Sequence, residues 1–155
     1  MLEKLNEMLE MQKALDRAIL SEFSDVKFDM NRWKTAILDE LGELTHELKG
    51  RWCWWKKTQK PVDDKKVLEE LVDVWHFVLS FYYNQYRGRK YDSSYERIIR
   101  EKDVTYTELI ATLLCVPSLE IMVVLTEHLG FTVDQVYDAY IEKNQENYKR
   151  LERGY

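Results

Sequence analysis

Apolar residues recur along this chain at intervals of three and four, the period of helices that bury one face. In the first segment Leu5, Met8, Leu9, Leu15, Ile19 and Leu20 share a face, and the pattern decays between Ser21 and Asp25. A second helix is predicted after Asp29, whose side chain can accept the free N–H groups of a helix start. It runs through Trp33, Ile37, Leu41, Leu44 and Leu48 to a stop at Gly50. Residues 51–66, with Pro61 and the pair Asp63 and Asp64, form an aromatic-rich connection that caps the next helix, expected over 66–86 and ending near Gly88. Residues 91–102 are a weakly amphipathic helix. The helix over 105–116 must end before Pro117, because a proline ring disfavours helical geometry in the residue that precedes it. Ser118 caps a short helix closed by Gly130. Thr132, with Gln135 three residues later, opens a last helix that reaches Arg153.

No long alternating run of β-branched residues interrupts this pattern, so the fold class is all-α, a compact bundle of about five to seven helices. Without an internal repeat or flexible linker, residues 1–155 read as a single domain. Twenty-three basic against 28 acidic residues give a formal net charge of -5, and no basic block offers a track for nucleic acid. No run of about 18 apolar residues is present to cross a membrane. The opening MLEKLNEMLEMQ lacks the positive region and apolar stretch of an export signal. Cys53 and Cys115 lie far apart in apolar sequence, which supports neither a disulfide framework nor a thiolate metal site. A cytoplasmic location is the expectation.

Two pairs of acids at i, i+3 spacing carry the chemistry: Glu40 with Glu43 in LDELGEL, and Glu70 with Asp73 in LEELVDVWHF. Each pair projects from one side of its helix. From Leu71 to Tyr83 the clearly polar side chains are Asp73, His76 and Ser80, so this helix should be buried nearly all round and its acids with it. A buried carboxylate is costly unless it is neutralised, paired or bound to a cation. Four acids together would form a cage of hard oxygen ligands suited to Mg²⁺, the usual partner of phosphate-bearing substrates. Solvated helix surface is the bland alternative for such spacing. No GxxxxGK or GxGxxG loop is present, so Lys and Arg side chains would have to hold phosphates.

The blocks ILDELGELTHEL and VLEELVDVWHFVLS, with ExxE and ExxD, resemble the all-α NTP pyrophosphatase superfamily, and within it the dimeric dUTPase family. The likeness extends to MQKALD, to RWCWWKK, to His76 after the acids and to the closing YIEKNQENYKRLERGY; residues 88–116 carry no motif of this kind. The resemblance implies a homodimer that hydrolyses dUTP, and also dUDP, with several Mg²⁺ ions. It makes Glu40, Glu43, Glu70 and Asp73 the metal ligands, with Glu40 or Glu43 orienting the attacking water. It places Gln12, Asp16, Trp55, His76 and Asn144 around the uracil and deoxyribose, and Lys56, Lys143, Asn147, Arg150 and Tyr155 along the phosphates. Asp16 stands where the family often has asparagine, and Cys53 where it often has lysine.

Other roles remain open for several of these residues. His76 on a buried helix can be a satisfied core histidine, and Trp52, Trp54 and Trp55 can be core or dimer packing. Lys143, Lys149 and Arg150 can form a charged helix face beside Glu142, Glu146 and Glu152. Two alternative functions follow: a pyrophosphatase of the same fold acting on another nucleotide such as dCTP, or a non-enzymatic helical dimerisation module whose acids form salt bridges. Dependence on Mg²⁺ separates the module from the enzymes.

Overall fold

A computed structural model describes residues 1–23, 26–92 and 96–154. Among them the chain forms eight helical segments and no strand: α1 (Leu2–Glu22), α2 (Met30–Glu47), α3 (Lys49–Trp52), α4 (Asp64–Gln85), α5 (Glu96–Arg100), α6 (Tyr106–Cys115), α7 (Leu119–His128) and α8 (Val133–Glu152). Since α3 is a single turn, the architecture is an all-α bundle of seven helices and a turn. No helix of the described residues is long and apolar enough to cross a membrane.

Local chemistry explains most of the boundaries. The Asp29 side chain accepts the N–H groups of Asn31 and Arg32, Ser118 accepts that of Ile121, and Thr132 and Gln135 cap each other reciprocally. Thr105 and Glu108 form a second such box. Three boundaries differ from expectation. α2 ends at Glu47, and Gly50 lies inside α3 instead of stopping the helix. Its lack of a side chain serves a close approach: a Cβ there would lie 2.8 Å from the Lys60 carbonyl oxygen. α4 starts at Asp64, ahead of the expected 66, because the Asp63 side chain accepts the N–H of Lys65 at 3.1 Å. Of the helix expected over 91–102, the described residues form Glu96–Arg100, and residues 24–25 and 93–95 lie outside the described residues.

The core is organised round α4, which buries Leu71, Val72, Val74, Trp75, Val78, Leu79 and Phe81. α2 lies antiparallel to it: Trp33 Nε1 donates to Ser80 Oγ at 2.6 Å near one end, and Glu43 approaches Glu70 toward the other. α1 and α8 pack on α4 and on each other, and α7 closes the opposite side, where Trp75 Nε1 donates to Thr126 Oγ1 at 3.1 Å. Arg100 ties α5 to α7 by pairing with Glu127, while it also reaches the buried Glu96, which takes the Tyr91 hydroxyl.

The α1 stripe is split. Leu5, Met8, Leu9 and Leu15 enter the core, whereas Ile19 and Leu20 turn toward an open cavity bordered by α1, α2, α4 and α8.

Candidate active site

That cavity has a volume of about 620 Å³. Leu15, Ile19, Leu20, Phe23, Trp33 and Phe77 form an apolar part of its wall, and Gln12, Asp16, His76 and Ser80 supply polar groups. Glu40, Glu43, Asp73, Lys143, Asn147 and Arg150 line it as well. One recess thus holds an apolar, hydrogen-bonding part and a strongly charged part.

The polar wall is a connected network. Trp33 donates to Ser80, Ser80 Oγ donates to Asp16 Oδ2 at 2.5 Å, and Gln12 Nε2 donates to Asp16 Oδ1 at 2.8 Å. The Gln12 oxygen accepts from Tyr140 OH at 2.9 Å and from His76 Nδ1 at 2.7 Å. An amide oxygen only accepts, so Nδ1 carries the ring proton and Nε2 keeps a lone pair. Burial, reinforced by the nearby Lys143 charge, pushes the His76 imidazole down to about 3, which keeps it neutral. The ring stacks on Tyr140 with centroids 4.2 Å apart. Its Nε2 is buried without a hydrogen-bond partner among the described residues, as is Nδ2 of Asn144. A native fold seldom leaves such atoms unpaired unless a ligand or water completes them.

The charged part is built by helical register. Oxygen atoms of Glu40, Glu43 and Glu70 lie within 4.8 Å of one another. Burial, with the neighbouring Asp73 and Glu43 charges, raises the Glu40 carboxyl to about 7. Burial and the Glu43 and Asp73 charges do the same for Glu70. Asp73 stands beside this trio with its Oδ2 held by Lys143 Nζ at 2.6 Å. Its carboxyl is raised by burial and pulled back by that lysine. The expectation that both acids of α4 would be fully buried is corrected: Glu70 and Asp73 are half-buried on the groove side of an otherwise buried helix. Three oxygen donors this close, with too little fixed positive charge around them, fit a hard divalent cation.

Of the residues singled out from sequence, Gln12, Asp16, Glu40, Glu43, Asp73, His76, Lys143, Asn147 and Arg150 line this one cavity, and Glu70 completes the acid group. Asn144 is buried behind the lining, one turn after Tyr140. Trp55 and Lys56 are not part of it: Trp55 is 55% exposed against Trp52 and Trp54, and Lys56 lines a separate concavity. Tyr155 lies outside the described residues. Trp33, Phe77 and Ser80 are additional. Asp73, His76 and Ser80 fall on one stripe of α4, and that spacing in an apolar helix was the available signal for Ser80.

Searched against curated proteins, the chain finds no match. The family model described as dUTPase matches residues 4–155, a span that contains both acid pairs, the polar network and the charged end of α8. By that match the chain belongs to the dUTPase family.

Proposed function

We propose that the chain hydrolyses dUTP to dUMP and pyrophosphate in a Mg²⁺-dependent reaction, accepts dUDP as well, and works as a homodimer. The observation that carries this is the joining, in one cavity, of a neutral histidine acceptor at a nucleoside-sized recess and a group of three carboxylates. Nε2 of His76 suits an N–H such as N3 of uracil, and Asn144, buried behind the lining one turn after Tyr140, supports the wall that meets the base. Cytosine presents a lone pair at N3 and would face the histidine lone pair. Gln12 and Asp16 have their polar atoms engaged with each other, with Ser80 and with His76, so they act by orienting the reader of the base.

Glu40, Glu43, Glu70 and Asp73 would hold the metal. When bound, Mg²⁺ neutralises phosphate charge and lowers the pKa of water. Water adds to the β-phosphorus, and the bond from that phosphorus to the oxygen bridging the α-phosphate breaks. dUMP leaves with that oxygen. A carboxylate of Glu40 or Glu43 orients the water and takes its proton. Lys143, Asn147 and Arg150 grip the phosphates and stabilise the charge that develops on them.

Turnover of each deoxynucleoside triphosphate with Mg²⁺ and with EDTA tests the proposal. dUTP should be hydrolysed at least about tenfold more efficiently than dCTP, because mismatched buried donors and acceptors discriminate strongly, and than dTTP, whose base pairs as uracil does but carries a 5-methyl group that the recess must exclude. Comparable rates on dCTP would overturn the uracil assignment. Turnover unaffected by EDTA would overturn the metal-dependent chemistry.

A further inference from the structure

Trp33 of α2 meets Ser80 of α4, and ten residues further along α2, Glu43 meets Glu70, ten residues back along α4. One more helical turn, about 5.4 Å, brings His46 and Glu47 of α2 and Lys66 of α4 into line. These three border a second concavity, of about 710 Å³, together with Lys49, Lys56 and Lys60. The carboxylates therefore stand between two recesses, a half-apolar one on the Ser80 side and a lysine-rich one on the Lys66 side. α8 advances the same way: Tyr140 stacks on His76, and three residues later Lys143 pairs with Asp73, three residues back along α4. Asn147 and Arg150, further along α8, line the first cavity beside Lys143.

Four lysines line this concavity against two acids, Glu47 and Asp63, in a chain of net charge -5. Asp63 already accepts the N–H of Lys65 as a helix cap. Lys49, Lys56, Lys60 and Lys66 make no ion pair among the described residues. Like charges gathered round one recess repel each other and raise the local concentration of anions. The backbone is shaped to hold them there. A Cβ on Gly50 would lie 2.8 Å from the Lys60 carbonyl oxygen and 3.1 Å from Val62 Cγ2, so glycine alone lets the segment carrying Lys60 lie this close to α3.

From this alignment we infer that the lysine concavity seats the terminal phosphates of the substrate and the product pyrophosphate, with Lys60 and Lys66 as ligands beside Lys56. The inference rests on the diphosphatase function proposed above and sets the direction of the bound nucleotide. The base lies by His76, the bond to be cleaved over the acids, and the last phosphates among the lysines.

The test is calorimetric titration of inorganic pyrophosphate with Mg²⁺, and of dUMP in parallel, into the unaltered protein, Lys60→Ala, Lys66→Ala and the double variant. Pyrophosphate affinity should fall about tenfold for each lysine removed, as for loss of a charge-assisted hydrogen bond, while dUMP affinity stays the same. KM for dUTP should rise more than KM for dUDP, which has one phosphate fewer. Both side chains are exposed, so melting curves should coincide with that of the unaltered protein, and Lys66→Arg should retain binding. Unchanged pyrophosphate affinity in the double variant, or equal losses for pyrophosphate and dUMP, would overturn the assignment. Absence of dUTP turnover in the unaltered protein would sink the diphosphatase proposal instead, and the pyrophosphate titration would still decide whether the lysines form an anion site.

Discussion

The side-chain oxygen of Gln12 lies 2.7 Å from Nδ1 of His76, across the contact between α1 and α4. That single acceptor decides the tautomer of a buried ring and leaves its other nitrogen as an acceptor in the cavity wall. Gln12→Ala should release the ring to sample both tautomers and raise KM for dUTP about tenfold, the cost of one well-placed hydrogen bond. Nitrogen chemical shifts of the imidazole report the tautomer directly. An unchanged Nδ1–H form in the variant would show that Gln12 is not what sets it.

His76 should remain neutral through the physiological range. Its folded value near 3 lies below the ordinary 6.5, so its contribution to stability is present above about 6.5 and is lost as pH falls toward 3. Carbon-bound ring protons followed by NMR should show no titration of His76 between pH 5 and 8. A midpoint near 6.5 would mean that the ring is solvated and not held as an acceptor.

Glu40 and Glu70 predict the opposite slope for the metal-free protein. Their folded values near 7 lie above the ordinary 4.5, so the stability they lend is complete below about 4.5 and is lost as pH rises through 7. In EDTA, thermal stability should decline between pH 5 and 8, and the decline should flatten in Glu40→Gln and Glu70→Gln. With Mg²⁺ the cation must displace those protons, so binding at pH 7 should release protons and tighten as pH rises. Calorimetry in buffers of different ionisation enthalpy measures the release.

Glu40→Gln, Glu43→Gln, Glu70→Gln and Asp73→Asn should each lower turnover by about 10² or more, since each removes a charge from the proposed metal group. The fold should survive, and the metal-free melting temperature should rise as repulsion among the carboxylates is relieved. Asp73→Asn also leaves Lys143 without its partner at 2.6 Å, so its gain should be the smallest of the four. Near-normal activity in all four would show that these carboxylates do not hold the metal, whereas absence of Mg²⁺-dependent turnover in the unaltered protein would favour the salt-bridge module.

Asn144→Ala should narrow the preference for dUTP over dCTP, because it removes support behind the wall that meets the base. Competition kinetics with both nucleotides in one mixture gives the ratio. An unchanged ratio would show that base choice does not depend on Asn144.

The surface carries apolar side chains at Leu38, Trp54, Leu114 and Val116, each more than two-fifths exposed, which suits an interface with a second copy. Light scattering at micromolar concentration should give the mass of a dimer.

Helical class, the caps at Asp29, Asp63, Ser118 and Thr132, and the acid pairs of α2 and α4 were all determined by the sequence. Each depends on residues within one turn of each other, so spacing alone suffices. The same locality explains where sequence reasoning failed. Gly50 has the composition of a helix stop, yet its constraint comes from Lys60, across the connection that leads to α4. Asp73 looked as uncompensated as Glu70, but Lys143 reaches it from a helix that begins sixty residues later. Gln12 and Asp16 had free amide and carboxylate groups on paper, and the packing of α1 on α4 engages them with Ser80 and His76. Helical periodicity says which side chains share a face. Only the tertiary register of α1, α2, α4 and α8 decides which faces meet, and therefore which charges and hydrogen-bonding atoms are left for a ligand.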